Sequence, residues 1–534
     1  MSSVTLTVDG RPVTVESGRT VLDAARTLGI EIPTLCYLES CGPMTSCLVC
    51  VVKLCNNGSS RIVPSCAVRA EEGMVVESET DEVRELRRTA LELLLSDHVG
   101  DCLSPCNRIC PLNLNIPRMI RQIEHDQPAE AINTVRQALP LPGVLGRLCH
   151  APCQNGCRRD GCDGSAGIRD LERHVADGDR ESGAAWLPPR KPSTGKQVAI
   201  VGAGPAGLAA AYWLARQGHA CTVYDRRDAA GGTLRNEVLL PAEVLDFEVE
   251  QIRRLGVDLR LGLELGSSLN LADLERDSDA VLVAIGALRQ GEAEQLGMLA
   301  SPTGLRTNTA TAQTASAKVF AAGSAVRPLK QVVRVMAEGQ GAAECIHQFL
   351  AGLPIRSATR TFSSVMGRLD DVELQQFLKT AASTPKIVPS RGPAGGYTSE
   401  EARAEAGRCM HCDCRAAGHC GLQQYAEWYG ANPNRFSKQR RRFAQEPHPG
   451  GVLFESGKCI LCGICIEIAQ RAAEPLGLTF VGRGFDVQVA APLGHGFADG
   501  LQKVAAECVA ACPTGAIVFR DGKQPSSGAA CRCH

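Results

Sequence analysis

The chain has 534 residues, 26 cysteines and a formal net charge of −1. That length implies several domains, and a charge so near zero gives no electrostatic basis for binding nucleic acid or an anionic membrane. The opening MSSVTLTVDGRPV has neither a basic n-region nor an apolar h-region, so a cytoplasmic location is expected, where clustered cysteines bind metal rather than form disulfides.

Residues 1–78 read as a small β-rich domain. VTLTVDGRPVTVE alternates apolar and polar positions and turns at Asp9-Gly10 as a hairpin does, and a short helix is expected from Thr20 to Leu28. Cys36, Cys47, Cys50 and Cys66 follow in the spacing C-x10-C-x2-C-x15-C. Four such thiolates suit a [2Fe-2S] cluster with two ligands on each iron; zinc accepts the same set. The run VDGRPVTVESGRTVLDAARTLGIEIPTLCY, with SCLVCVV and PSCAV, resembles the plant-type ferredoxin domain of the large iron-sulfur subunit of complex I and of many formate dehydrogenases and hydrogenases. That resemblance implies iron and a β-grasp fold. Cys41 and Cys55 are extra, and Cys41 competes with Cys36 as a ligand.

Residues 79–190 read as a helical domain. DEVRELRRTALELLLS has apolar residues at helical spacing and leads to His98, Cys102, Cys106 and Cys110, then to Cys149, Cys153 and Cys157. Six cysteines are too many for one tetrahedral site. HVGDCLSPCNRICPLNLNIPRMI and GRLCHAPCQNGCRRDGC resemble the iron-sulfur domain of the glutamate synthase small subunit and of dihydropyrimidine dehydrogenase, which carries two [4Fe-4S] clusters. The resemblance implies one cluster on Cys110, Cys149, Cys153 and Cys157, and a second on Cys102 and Cys106 with two further ligands. His98 stands roughly where the family has another cysteine, and Glu172 where it has a ligating Gln or Glu.

After the proline-rich stretch LPPRKPSTG comes QVAIVGAGPAGLAAAYWLARQGHACTVYD, a strand, a glycine turn, an Ala-rich helix and a second strand. This is a dinucleotide-binding βαβ unit. Gly202 permits the tight turn, Gly204 lets backbone approach a pyrophosphate, and Gly207 lets helix and strand pack closely. Pro205 and Ala206 open the helix whose N-terminus receives the phosphates, and Asp225 is placed to accept ribose hydroxyls. Gly231 and Gly232, then Gly286, then Gly323 and Ser324 follow in blocks that resemble the FAD domain of glutamate synthase small subunits, implying FAD over residues 195–350. Relatives usually have Asp where this chain has Ser324. They also insert a second dinucleotide domain, for NADPH, where this chain has only residues 287–319. A βαβ unit needs about 30 residues and a domain several units, so no NAD(P)H site is expected.

Residues 351–400 read as a linker with a helix at VELQQFLKTAAS, and the serine of TSEEARAEAGR is a candidate helix cap. In residues 401–430, Cys409, Cys412, Cys414 and Cys420 form one expected metal site, a [4Fe-4S] cluster or structural zinc. KQRRR, Lys438 to Arg442, reads as a solvated basic surface, with a docking patch as the sharper alternative. In residues 450–522, Cys459, Cys462 and Cys465 with the later Cys512-Pro513 give the C-x2-C-x2-C…C-P signal of a [4Fe-4S] site; Cys508 is spare. GKCILCGICIE, FVGRGFDVQV and CPTGAI resemble the ferredoxin-like segment of complex I and of formate dehydrogenase catalytic subunits. Residues 523–534 read as a tail carrying Cys531, Cys533 and His534.

The expected architecture is multidomain α/β and α+β: a β-grasp [2Fe-2S] ferredoxin, a helical double-cluster domain, a Rossmann-like FAD domain and a C-terminal ferredoxin-like cluster domain. Cofactors are FAD, one [2Fe-2S] and two to four [4Fe-4S]. No catalytic constellation is evident. The expected role is electron relay in a cytoplasmic complex of hydrogenase or formate dehydrogenase type, with a catalytic redox subunit and a separate NAD(P)H-reactive subunit as partners, no nucleic acid and no membrane span. The alternatives are a self-sufficient NAD(P)H oxidoreductase and a scaffold with an empty nucleotide fold.

Overall fold

The computed structural model describes residues 2–56, 59–356, 361–436 and 440–522; Lys438 and the tail cysteines lie outside them. It divides into two units, one formed by residues 1–104, 361–380 and 412 onward, the other by residues 105–360 and 381–411. Among the described residues no helix is long and apolar enough to cross a membrane.

The first unit begins with a hairpin, β1 (Ser3–Val8) and β2 (Arg11–Glu16), joined through Asp9 at φ 48° and Gly10 at φ 75°. Two consecutive left-handed residues make the turn that matches strand twist. Helix α1 (Val21–Thr27) starts at a reciprocal cap, in which Thr20 Oγ1 accepts from the Asp23 amide (3.2 Å) and the Asp23 carboxylate accepts from the Thr20 amide (3.0 Å). Strands β3 (Val51–Asn56), β4 (Ser59–Pro64) and β5 (Val75–Glu77) complete a mixed sheet in the order β2-β1-β5-β3-β4. Helix α2 (Asp81–Ser96) carries the fully buried Arg87, whose guanidinium donates to the Val51 carbonyl (2.8 Å), Glu79 (2.8 Å) and Tyr429 Oη (2.8 Å). That one side chain ties the sheet and α2 to the helix Gly421–Trp428. The C-terminal part adds the strands Val452–Phe454 and Ile517–Phe519, paired antiparallel, with the helices Ile464–Arg471 and Ala505–Ala511. The basic run is largely neutralised within this unit: Arg440 pairs with Glu373, Arg441 donates to backbone carbonyls, and Arg442 lies 3.3 Å from Asp370.

The second unit joins a helical half to a parallel sheet. Helices α3 (Ile116–Glu124), α4 (Pro128–Ala138), α5 (Pro142–Leu148) and α6 (Ile168–Glu181) share one apolar core with the sheet. The strands β6 (Gln197–Val201), β7 (Ala220–Asp225), β8 (Asp258–Leu261), β9 (Ala280–Val283) and β10 (Val319–Ala321) are all parallel in the order β8-β7-β6-β9-β10. The order reverses between β6 and β9, the switch point where such sheets bind ligands. Helix α7 (Pro205–Arg216) follows β6, α8 (Ala242–Arg254) precedes β8, and α9 (Val332–Leu350) packs on α7.

The halves are fastened by buried charge. Arg136 on α4 is wholly buried and pairs with Asp179 on α6 (2.9 Å) and Glu248 on α8 (3.0 Å), whose other oxygen accepts from the Gly143 amide (2.6 Å). The later segment is held likewise, Arg408 pairing with Glu405 (2.8 Å) and Asp163 (3.2 Å). Helix α10 (Ser399–Ala406) is capped by Thr398, not by the serine expected from the sequence; Thr398 forms the reciprocal pair with Glu401.

Candidate iron-sulfur and nucleotide sites

The loop between α1 and β3 supplies Cys36, Cys47 and Cys50, and the turn after β4 brings Cys66 to them, all at 5 % exposure or less. They stand as two pairs, Cys36 with Cys47 and Cys50 with Cys66, each with sulfurs 3.3 Å apart. Within each pair one thiol donates to the other, which lowers Cys36 to about 5 and Cys50 to about 7 and raises their partners. Two pairs of adjacent sulfurs are what two irons with two thiolates each require. Cys41 lies apart, its sulfur 3.7 Å from both Ser40 Oγ and the Arg471 guanidinium, and Cys55 sits on β3.

In the second unit Cys110, Cys149 and Cys153 are each at most 9 % exposed. Glu172 on α6 is 7 % exposed among them, with Oε1 unpartnered, and burial pushes its carboxyl up to about 8. Its charge bears on all three thiols, each already raised by burial. A buried carboxylate with an orphaned oxygen beside three thiols is a donor set that lacks its acceptor. Cys106, Cys157 and Cys409 pack against the same core.

The last cysteine group lines a small, partly open cavity in the first unit, walled by Cys459, Cys462, Cys465, Cys508 and Cys512 with Pro513 and Thr514. Burial is the main cause raising Cys462, and Cys512, Cys459 and Cys36 add to it. Cys36 of the first loop is thus an electrical neighbour of this cavity. Cys414 and Cys420 are buried in the same core as Cys36 and Cys462. Cys102 also belongs to the first unit, whereas Cys106 falls in the second. The division between the units passes likewise between Cys409 and Cys412. Among the described residues no three His, Cys, Asp or Glu converge about one ion. A cluster that gives each thiolate its own iron does not ask them to.

Several cysteine loops repeat one device. Ala151, His411 and Leu461 stand two residues after Cys149, Cys409 and Cys459, are left-handed at φ 48°, 46° and 55°, and point their amides at the preceding sulfur at 3.4, 3.5 and 3.4 Å. Such residues favour right-handed φ by about 1–2 kcal/mol. The N–H···S bond and the turn toward the next cysteine offset that cost. Sequence reading missed the device because none of the three is glycine.

The nucleotide site is a groove of about 410 Å³ at the switch point, lined by Gly202, Gly204, Asp225, Gly232, Gly286, Ser324 and Lys330 among others. Its glycines divide by role. A Cβ on Gly202 would lie 2.3 Å from the Ala284 carbonyl oxygen, and one on Gly207 1.8 Å from that of Gly202, whereas one on Gly204 meets nothing within 4 Å. Gly204 is therefore open toward the ligand side, and the other two are required by packing. Asp225 accepts from the Ala203 amide (2.7 Å) and the Arg227 amide (2.8 Å), one on each oxygen, and each oxygen retains a lone pair for a ribose hydroxyl. A Cβ on Gly232 would meet Gly204 Cα at 2.8 Å, and one on Gly231 Leu245 Cδ2 at 2.7 Å; one on Gly323 would meet Ala206 Cβ at 2.8 Å. Pro205 and Ala206 begin α7. Gly339 on α9 was missed: its Cβ would lie 2.1 Å from the Ala206 carbonyl oxygen. Glycine inside an apolar helix costs about 1 kcal/mol against alanine, and that was the available signal. Residues 287–319 hold a short helix, Glu292–Gln295, and a two-residue hairpin, with no second βαβ unit.

These sites define a multi-domain iron-sulfur protein with a Rossmann-like nucleotide fold. Residues 1–81 match the family described as "2Fe-2S iron-sulfur cluster binding domain", residues 96–184 "Dihydroprymidine dehydrogenase domain II, 4Fe-4S cluster", and residues 200–256 "NAD(P)-binding Rossmann-like domain". Its relatives include the NADP(+)-dependent formate dehydrogenase subunit beta of Moorella thermoacetica, 37 % identical over 34 % of this chain and 29 % of that protein. The NADPH-Fe(3+) oxidoreductase subunit beta of Geobacter sulfurreducens is 37 % identical over 35 % of this chain and 28 % of its own length. The NAD-dependent dihydropyrimidine dehydrogenase subunit PreT of Escherichia coli is 36 % identical over 38 % of this chain and 51 % of its own. The chain thus spans between about a quarter and a half of these relatives.

Proposed function

We propose that this chain is an electron-transfer iron-sulfur flavoprotein subunit of a multi-subunit cytoplasmic redox complex. The observation that carries the reading is one core of the first unit, in which Cys36 and Cys47 of the N-terminal loop, Cys414 with Cys420, and the cavity of Cys459, Cys462, Cys465 and Cys512 lie together. Closely spaced one-electron sites serve conduction better than they serve catalysis. FAD is the nucleotide assigned to the groove, with Asp225 toward the ribose and Ser324 at the end where relatives carry an acid. FAD accepts electrons in pairs and clusters accept them singly, so the flavin fold is a two-to-one junction.

In this reading residues 1–78 are a β-grasp ferredoxin domain, 79–190 a double-cluster domain, 195–350 the FAD domain and 450–522 a ferredoxin-like domain. The relatives, a formate dehydrogenase subunit and two NAD(P)H-linked oxidoreductase subunits by name, support a catalytic partner of formate dehydrogenase type and a partner that handles NAD(P)H. The test is an anaerobic preparation of the whole chain. Denaturation is expected to release about one FAD per chain, and the chain alone is expected not to reduce a dye with NADH or NADPH. Brisk dye reduction by the isolated chain sinks the relay reading in favour of a self-sufficient oxidoreductase, and absence of flavin removes the junction.

A further inference from the structure

Cys409, Cys412, Cys414 and Cys420 fall within twelve residues of sequence, yet they divide. Cys409 accepts the His411 amide and packs on the second unit's core. Cys414 and Cys420 are sunk in the first unit at 7 % and 8 % exposure, and there they meet Cys102, buried to the same degree at 7 %. The Cys414 amide donates to the Cys102 carbonyl (3.3 Å). The thiols of Cys102 and Cys414 both bear on Cys420, after burial, which is the largest influence on it. Room for a bulky group is kept by Gly515, where a Cβ would stand 2.3 Å from Cys414 Sγ. Cys420 Sγ lies 3.8 Å from the Pro513 carbonyl, and Cys102 Sγ 3.3 Å from Ser364 Oγ.

His98 precedes Cys102 by four residues and is half-buried, with its Nδ1 atom buried and lacking any hydrogen-bond partner. A buried ring nitrogen without a partner is a cost unless a ligand takes it. Lys458 is the cation here. Its side chain is 2 % exposed, it pairs with Glu455, and its charge acts on both His98 and Cys414. A Cβ on Gly100 would collide with Lys458 Cε at 2.5 Å and stand 3.3 Å from His98 Nε2.

We propose that His98, Cys102, Cys414 and Cys420 hold a [4Fe-4S] cluster of their own within the first unit, with Lys458 as its buried countercharge. This rests on the multi-cluster reading above and changes its ligand map. Three thiolates bring negative charge into an apolar core, and a buried charge is tolerated only when compensated, which is the role of the Lys458 ammonium. The Cys409-to-Cys420 motif then serves two sites rather than one.

The test uses the full-length chain purified anaerobically, with iron and sulfide counts and EPR of the reduced protein. Cys102→Ser and Cys414→Ser are each expected to remove the same EPR signal and about four irons per chain. The double variant is expected to lose no more than either single one, while Cys409→Ser removes a different signal. If Cys409→Ser and Cys414→Ser abolish one shared signal, or the double variant loses two, the proposal is overturned. The [2Fe-2S] signal reports folding of the first unit in every variant. If a serine variant loses that signal too, Lys458→Met decides: it keeps all four ligands and is expected to shift the midpoint potential of this one signal negatively, and no shift refutes the assignment. A wild-type chain with no [4Fe-4S] signal at all would overturn the multi-cluster reading instead.

Discussion

Replacing Arg136 by methionine is expected to unfasten the two halves of the second unit. The guanidinium makes three charge-assisted hydrogen bonds, at 3.1 and 2.9 Å to Asp179 and 3.0 Å to Glu248, and the two carboxylates are 3 % and 1 % exposed. Methionine fills much of the volume and removes the charge, leaving two buried carboxylates without a cation. Removing one partner of such a network costs about 3–5 kcal/mol. For a unit of this size that corresponds to a fall in melting temperature on the order of 10 °C. Burial already raises the Glu248 carboxyl against the pull of Arg136, so removing the guanidinium is expected to raise it further. The assay is thermal unfolding of holo wild type and variant, followed by flavin fluorescence and circular dichroism, with Arg136→Met/Asp179→Leu/Glu248→Met as companion. The triple variant is expected to recover part of the loss and not all, because Glu248 also accepts the Gly143 amide. A single variant that melts within one or two degrees of wild type refutes the claim that this triad joins the halves.

Three further outcomes follow from the geometry. Gly204→Ala is expected to leave the melting temperature unchanged and weaken FAD retention, since its Cβ meets no protein atom, whereas Gly207→Ala is expected to destabilise by about 1–3 kcal/mol through overpacking; equal melting temperatures for the two would contradict the division. Glu172→Leu is expected to keep the second unit folded while lowering iron retention, checked by iron counts after gel filtration under chelator. Glu373 is held down to about 2, first by Arg440 and then by the Phe443 and Asp370 amides. A depressed carboxylate contributes stability that is complete above its ordinary pKa of 4.5 and lost as pH falls from there through 2, on the order of 3 kcal/mol. Denaturant titrations should therefore show the gap between wild type and Glu373→Gln narrowing over that window, and a pH-independent gap counts against it.

The Asp9-Gly10 turn, the Thr20 helix and the β6-α7-β7 unit were legible because local rules decide them: a hairpin dipeptide, a cap with its acid, and glycines at fixed offsets. The four thiols around Cys36 were legible as a set for the same reason. Less local facts were not. A chain contact more than 300 residues apart in sequence, Cys414 to Cys102, has no local signal, because it is decided by which core each cysteine enters. Arginines are mostly exposed, so nothing in the sequence singles out Arg136 and Arg408 for burial. Only carboxylates from distant helices make their burial tolerable. The helix cap at Thr398 rather than Ser399 was a one-residue miss in TSEE, where both residues can cap.

The left-handed residues beside the cysteines bear on the life of the protein in a cell. Ala151, His411 and Leu461, with Leu48 at φ 54° and Asn113 at φ 56° in neighbouring cysteine loops, each hold a conformation that is disfavoured by about 1–2 kcal/mol. Together they approach the whole stability of a typical domain, about 5–15 kcal/mol. Without clusters, only the turns and the N–H···S bonds beside Cys149, Cys409 and Cys459 work against that strain, so these loops are expected to open before the sheets do. Cluster insertion is therefore expected to act on folding as well as on electron transfer, with limited proteolysis of cluster-free chain cutting first at these loops.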